Sequence, residues 1–347
     1  MSNKSNKNET KENEIKELQQ LNNEVFGTVG LFYMYLARPI LRKFGKKGEI
    51  AVRKGLRKYG AFRGEQIRKW HLEEKIPINM ESLQRFWDNG YAFMYLNDKI
   101  AKGALFSPYD VRQSDFTCPA QDYWKAEDWT QFGYMYCDEI HQELTRAYHP
   151  KGVAEIHENL NKGDPKCQFI FIMPSEGPVD KSVYDKLMKT IEKDPVTFTM
   201  NTLKKTIRMV GTIYYFLAKA IIEDLGDEGK KALVSAMREL GKKRGEMIRD
   251  KILKNGKKVT LENVMEFFDL PYNRAWTMSA KENVVIKYCP LAEVWKELGD
   301  KELGALYCNV MYKAMFNALS IKAKVSECIM CGSDKCTIRK AIKKEPN

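Results

Sequence analysis

At 347 residues, with 44% hydrophobic and 30% charged side chains, the chain is long enough for two ordinary globular domains. Its net charge of +12 is spread over both halves among many acidic residues, with no nucleic-acid-binding signature. The sequence therefore predicts a solvated basic surface and no nucleic-acid partner. Eight cysteines without the apolar core of a signal peptide argue for reduced thiols in the cytoplasm, serving metal or chemistry, and against a disulfide frame.

Residues 1–24 are polar and charged, and read as a disordered lead running into a helix. The apolar run from Val25 to Leu41 contains Arg38 and Pro39 and falls short of the ~20 apolar residues a membrane span needs. Its counterpart, Met209 to Ile222, is shorter still, so both read as amphipathic core helices, with no membrane partner. Gly45 and Gly48 separate a first helix from a second. Asn79 is a suitable cap for a helix over 80–88. Trp129 to Ala147 reads as a long helix, and Cys167 to Ile172 as a closing strand halted by Pro174. Residues 174–200, with Gly177, Pro178 and Asp180, read as a linker.

The pattern then starts again. At a constant offset Val29, Gly30, Tyr33, Gly45, Gly48, Gly60, Arg63, Gly64 and Asp88 recur as Val210, Gly211, Tyr214, Gly226, Gly229, Gly241, Arg244, Gly245 and Asp269. Cys118-Pro119 with Trp124 recurs as Cys289-Pro290 with Trp295, Cys137 as Cys308, and Gly163 to Cys167 as Gly332 to Cys336. The chain is a tandem duplication with a domain-sized period, 25–173 and 201–347. Each copy is predicted as α+β, a helical layer packed on a small antiparallel sheet, with Asn283 to Tyr288 the clearest strand. The first copy carries ten extra residues between Asp88 and Cys118, around Gly103 to Ser107, where they would shape a pocket rim.

Chemistry is expected where the copies differ. Cys137 and His141 are four apart on one helical face, suiting a nucleophile and its base, two metal ligands, or simply a buried core thiol with a surface histidine nearby, with Asp138 on the same turns. The second copy has Cys308 and Tyr312 there, and all four histidines lie in the first copy. Cys118 stands at a helix start, where amide groups lower a thiol pKa, or is simply buried. Asp164 sits in the turn Gly163 to Cys167, either capping its own backbone or serving as an acid. The second copy instead ends in Cys328-x2-Cys331-x4-Cys336, the spacing of a zinc knuckle, with Cys308 or Cys289 as fourth ligand. Free thiols or a redox pair are the competing readings. The equivalents of Cys328 and Cys331 in the first copy are expected near His157 and Leu160. No nucleotide-binding or serine-hydrolase motif occurs, so no nucleotide cofactor is expected.

Cys-Pro-x4-Trp, then Tyr-Cys-Asp, Tyr148-His149-Pro150 and Gly-Asp-x2-Cys-x-Phe together resemble the L-2-amino-thiazoline-4-carboxylic acid hydrolase family. The resemblance implies a hydrolase of a C–N bond in a small cyclic amidine, with Cys118, Cys137, Asp138, Gly163, Asp164 and Cys167 as matched site positions. His141 is added from its helical face. The second copy replaces Asp138 by Asn309 and moves the acid to Asp334. Its cysteine-rich end is also similar to small-molecule-sensing 4-vinyl-reductase-like domains, where such cysteines hold zinc. That likeness leaves a non-enzymatic binding pair, with zinc at Cys308, Cys328, Cys331 and Cys336, as the alternative. A homo-oligomer stays open.

Overall fold

The computed structural model describes residues 2–88, 109–114, 118–165, 167–176, 180, 182–280 and 283–340. The Gly103–Ser107 segment lies outside them. The chain folds as α+β, in two compact units: Met1–Leu31 with Leu56–Thr206, and Phe32–Gly55 with Ile207–Asn347.

The first unit holds most of helix α1 (Ser2–Glu73), then α2 (Met80–Arg85), strand β1 (Tyr109–Ser114), α3 (Pro119–Ala126), α4 (Thr130–Tyr148), β2 (Val153–Glu158), β3 (Cys167–Ile172) and α5 (Ser182–Lys193). The expected lead is helical from Ser2, because Glu, Lys, Gln and Leu are good helix formers. Its Leu18 is buried, and Asn22 accepts a hydrogen bond from Thr206 at 2.6 Å. The segment read as a linker contains α5. Tyr184, Met188 and Ile191 recur at helical spacing and join the core of Leu83, Phe86 and Phe171. Its polar remainder and the flanking prolines hid that stripe. Asn79 caps α2 as expected, accepting from Ser82 N at 2.8 Å.

The second unit repeats the plan with most of α6 (Pro195–Lys254), α7 (Leu261–Glu266), α8 (Tyr272–Ala275), β4 (Thr277–Ala280), β5 (Asn283–Tyr288), α9 (Pro290–Glu297), α10 (Lys301–Ala318), β6 (Ala323–Glu327) and β7 (Cys336–Lys340). Both sheets are antiparallel, ordered β1-β3-β2 and β4-β5-β7-β6, so among the described residues the second has one edge strand more than the first. Each long helix bends at the glycine the sequence marks, Gly45 at φ 53°, ψ −126° and Gly226 at φ 59°, ψ −145°. Side chains are excluded from that region of backbone space. Among the described residues no helix is long and apolar enough to cross a membrane.

The packing units are not the sequence copies. Residues 32–55 belong to the first copy but pack with the second unit. A Cβ on Gly55 would lie 3.0 Å from Leu217 Cα, so only glycine lets the two backbones meet. Lys54 pairs with Asp224 at 2.6 Å and Lys43 with Glu228 at 2.9 Å beside that crossing.

One histidine is committed to the first unit's core. His71 is fully buried, with Nε2 donating to Phe86 O at 3.1 Å and Nδ1 accepting from Tyr148 Oη at 2.8 Å. Burial pushes its pKa down to about 3, so it folds neutral. An unfolded histidine binds a proton near pH 6.5, so the contribution is complete above that pH and is lost as pH falls toward 3. Urea titrations should show about 2 kcal/mol less stability at pH 5 than at pH 8 from this group. His71→Phe should flatten that slope.

Candidate functional site

The two units hold the same scaffold around a cluster of cysteines. Trp124 on α3 donates Nε1–H to Gly30 O at 3.0 Å, and Trp295 on α9 donates to Gly211 O at the same distance. In the first unit, Arg63 on α1 grips Asp88 in a bidentate pair, both bonds 2.7 Å. Its guanidinium lies among the buried Tyr59 and Tyr136 rings. In the second, Arg244 repeats this with Asp269 at 2.6 and 2.8 Å and adds Tyr307 Oη at 3.0 Å. Gly60 and Gly241 bring α4 and α10 close, since a Cβ there would sit 2.7 Å from Ile140 O and 2.5 Å from Met311 O.

Three thiols converge in the first unit. Cys118 caps the start of α3, Cys137 is on α4, and Cys167 opens β3. Burial pushes the Cys137 thiol far up, and the neighbouring Cys118 and Cys167 push it further. For Cys118, the amide groups of Gln121 and Ala120 at the helix start act downward as the sequence suggests, but burial is the larger effect and the thiol rises to about 11. Burial raises Cys167 as well. All three are therefore thiols, not thiolates, at neutral pH.

The partners of Cys137 come from a turn that the sequence did not single out. The 3-10 turn Leu160–Lys162 links β2 to β3, with Gly163 left-handed at its end (φ 91°). Asn161 Nδ2 lies 3.9 Å from Cys137 Sγ, and Asn159 also faces that thiol. Asn159 Oδ1 accepts from Asn161 N at 2.9 Å, which fixes the amide's orientation and turns Nδ2 to the other side.

The remaining predicted residues separate into roles. His141 shares the α4 face with Cys137, but its Nδ1 donates to Cys137's main-chain oxygen at 2.7 Å. That bond sets the neutral tautomer and leaves the lone pair on Nε2. Its ring packs 4.4 Å from Phe169. Asp164 holds the turn, Oδ2 accepting from Asn159 N at 2.7 Å, so the capping alternative describes its contact. Asp138 accepts from Gln142 at 3.3 Å along α4, away from the thiol cluster. His149 is buried, its Nδ1 accepting from Lys151 N at 3.0 Å, and His157 is on the surface beside Glu155.

In the second unit the equivalent turn, Ile329–Cys331 with Gly332 at φ 98°, carries Cys328 and Met330 where the first has Asn159 and Asn161. The matched turns place Cys331 opposite Lys162, which corrects the expected pairing with His157 and Leu160. The first unit has two more residues between Cys137 and Cys167 than the second has between Cys308 and Cys336, which accounts for the shift. Tyr312 stands for His141, its hydroxyl bonded to Tyr272. Cys289, Cys308, Leu291, Trp295, Tyr312 and Cys336 line a cavity of about 20 Å³. That is room for one water, against roughly 300 Å³ or more for a small-molecule site.

Cys328 lies within hydrogen-bonding reach of the Cys308, Cys336 and Cys331 thiols, which lower its pKa, while Cys308 and Cys336 are raised by donating to it. All eight cysteines are free. Among the described residues no group of three or more His, Cys, Asp or Glu side chains is arranged to hold a metal ion. Cys331 is the exposed member of the expected zinc set.

The sequence matches the profile of the L-2-amino-thiazoline-4-carboxylic acid hydrolases over residues 29–171 and again over 206–339. The chain belongs to that family. Comparison with curated proteins and with solved structures returned no match. It is thus a family member carrying the family domain twice, with both thiol trios kept and the residues around them changed. Exposure makes a simple expectation for the thiols. Native protein treated with an aromatic disulfide should release one fast equivalent, lost in Cys331→Ser, and eight after unfolding. A protected Cys331 would show that the second cluster is closed around an ion.

Proposed function

We propose that this protein is a hydrolase of a small cyclic amidine such as an aminothiazoline carboxylate, with the chemistry in the first unit. The observation that carries the reading is a substitution within a duplicated frame. His141 is hydrogen-bonded to the main chain of Cys137 and the amides of Asn159 and Asn161 face its thiol, whereas Tyr312, Cys328 and Met330 hold the matching positions in the second unit, where Cys308 and Tyr312 line a cavity of about 20 Å³. Family membership supplies the substrate class.

A protonated, buried thiol needs no separate base if the substrate takes its proton. Cys137 Sγ adds to the amidine carbon as its proton passes to the ring nitrogen. The ring C–N bond then opens, the nitrogen leaving as an amine, and the carbon stays on sulfur. Water adds next, giving its proton to Nε2 of His141, the ring nitrogen that the Cys137 carbonyl leaves with a lone pair. Sγ departs with that proton, and the product is a carbamoyl group. Burial and the neighbouring Cys118 and Cys167 keep the Cys137 thiol protonated, and Asp164 holds the turn.

The test is turnover of 2-aminothiazoline-4-carboxylate followed by mass and by new functional groups. A product heavier by one water, with a free amine, is expected. A free thiol instead would mean that the C–S bond opens. Cys137→Ala should lower kcat by at least about a thousandfold with an unchanged melting profile, and His141→Gln by about 10²–10⁴-fold. Unchanged turnover in Cys137→Ala overturns the assignment.

A further inference from the structure

Asn159 and Asn161 are buried, at 0% and 7% exposure, on a turn that does not need them. The second unit builds the same turn, ended by the same left-handed glycine, from Cys328 and Met330. Each asparagine also carries one polar atom poorly satisfied among the described residues: Oδ1 of Asn161 has no hydrogen-bond partner, and Nδ2 of Asn159 has none beyond the Cys137 thiol that it faces. Buried polar atoms are rarely left so, and a pair of them beside a thiol points to a ligand. One is a donor and the other an acceptor, and both belong to residues that face Cys137.

We infer that this amide pair is the specificity element of the first unit and reads the N–C–N edge of an uncharged amidine. Asn161 Oδ1 accepts the exocyclic N–H, and Asn159 Nδ2 donates to the imine nitrogen. The inference rests on the hydrolase reading for the identity of the substrate, but not for the recognition itself. A lactam ring presents the opposite pattern, an N–H at the ring nitrogen and an oxygen outside it, and leaves both amides mismatched. A site built to satisfy hydrogen bonds rejects analogues that cannot make them far better than an apolar pocket does. Asp164 is a positioning residue here. Its carboxylate accepts the main-chain N–H of Asn159 and so sets where that amide points. The second unit has Ser333 at the matching position and neither amide.

The measurement is a binding ratio. Calorimetry on full-length Cys137→Ala, which cannot turn over, compares 2-aminothiazoline-4-carboxylate with 2-oxothiazolidine-4-carboxylate. The amidine should bind at least about a hundredfold more tightly. Asn161→Met and Asn159→Cys, each added to that background, place the second unit's residues on a turn already known to accept them. Both should bring the ratio to within about threefold of one, while Met330→Leu leaves it unchanged. Equal loss of both ligands, with the ratio kept, would assign the asparagines to packing and overturn the inference. So would a starting ratio near one, the result expected if the two amides hold only a water. Wild-type turnover is read separately. Selective binding without turnover leaves the amide pair standing and removes the hydrolase reading, and turnover with an insensitive ratio does the reverse.

Discussion

A buried guanidinium cannot be left alone, and both units are built around that fact. Arg244 has no exposed surface and Arg63 almost none, so each must keep its carboxylate at every stage at which the core is dry. The pair ties the long helix to the end of the following short one. The flanking glycines let the next long helix approach close enough to shield the charges. Tyr136 beside Arg63 and Tyr307 on Arg244 are adjacent in sequence to Cys137 and Cys308. Fixing the tyrosine fixes the thiol. Such pairs add little net stability compared with apolar packing, but they specify one arrangement over others.

That shared frame explains how the copies diverged. Trp124 and Trp295, the two Arg–Asp pairs and the two thiol trios are the same in kind and position. Around the thiols the copies differ at one turn and on the cysteine-bearing helix, where Asp138 and His141 give way to Asn309 and Tyr312. Amides and an imidazole in the first copy make a polar environment for a neutral thiol. Sulfur, methionine and tyrosine in the second make a tight apolar one in which thiols hydrogen-bond to each other.

Most of this was legible in the order of residues, because identity at fixed spacing cannot come from composition. The duplication, the glycine bends, the Asn79 cap, the strands at 167–172 and 283–288 and the long helices could all be read directly. Other features could not. The helix at 182–193 was masked by prolines and charge, although its apolar residues keep a helical period. Asn159 and Asn161 look like ordinary turn residues, and only their burial against Cys137 distinguishes them. Counting from Cys137 at constant spacing misses them, because the copies differ by two residues before the last strand. Helical spacing puts His141 on the same face of the helix as Cys137, but the sequence could not show that its ring is hydrogen-bonded to a main-chain oxygen rather than aimed at the sulfur.

The second unit takes residues 32–55 from the first copy. Cutting this gene at the repeat boundary would therefore not give two self-sufficient halves. During synthesis the early helix emerges some 150 residues before its packing partners, so the second unit closes only when nearly the whole chain is available. The duplication has become a single folding commitment, in which neither copy can be lost without leaving the other unfinished.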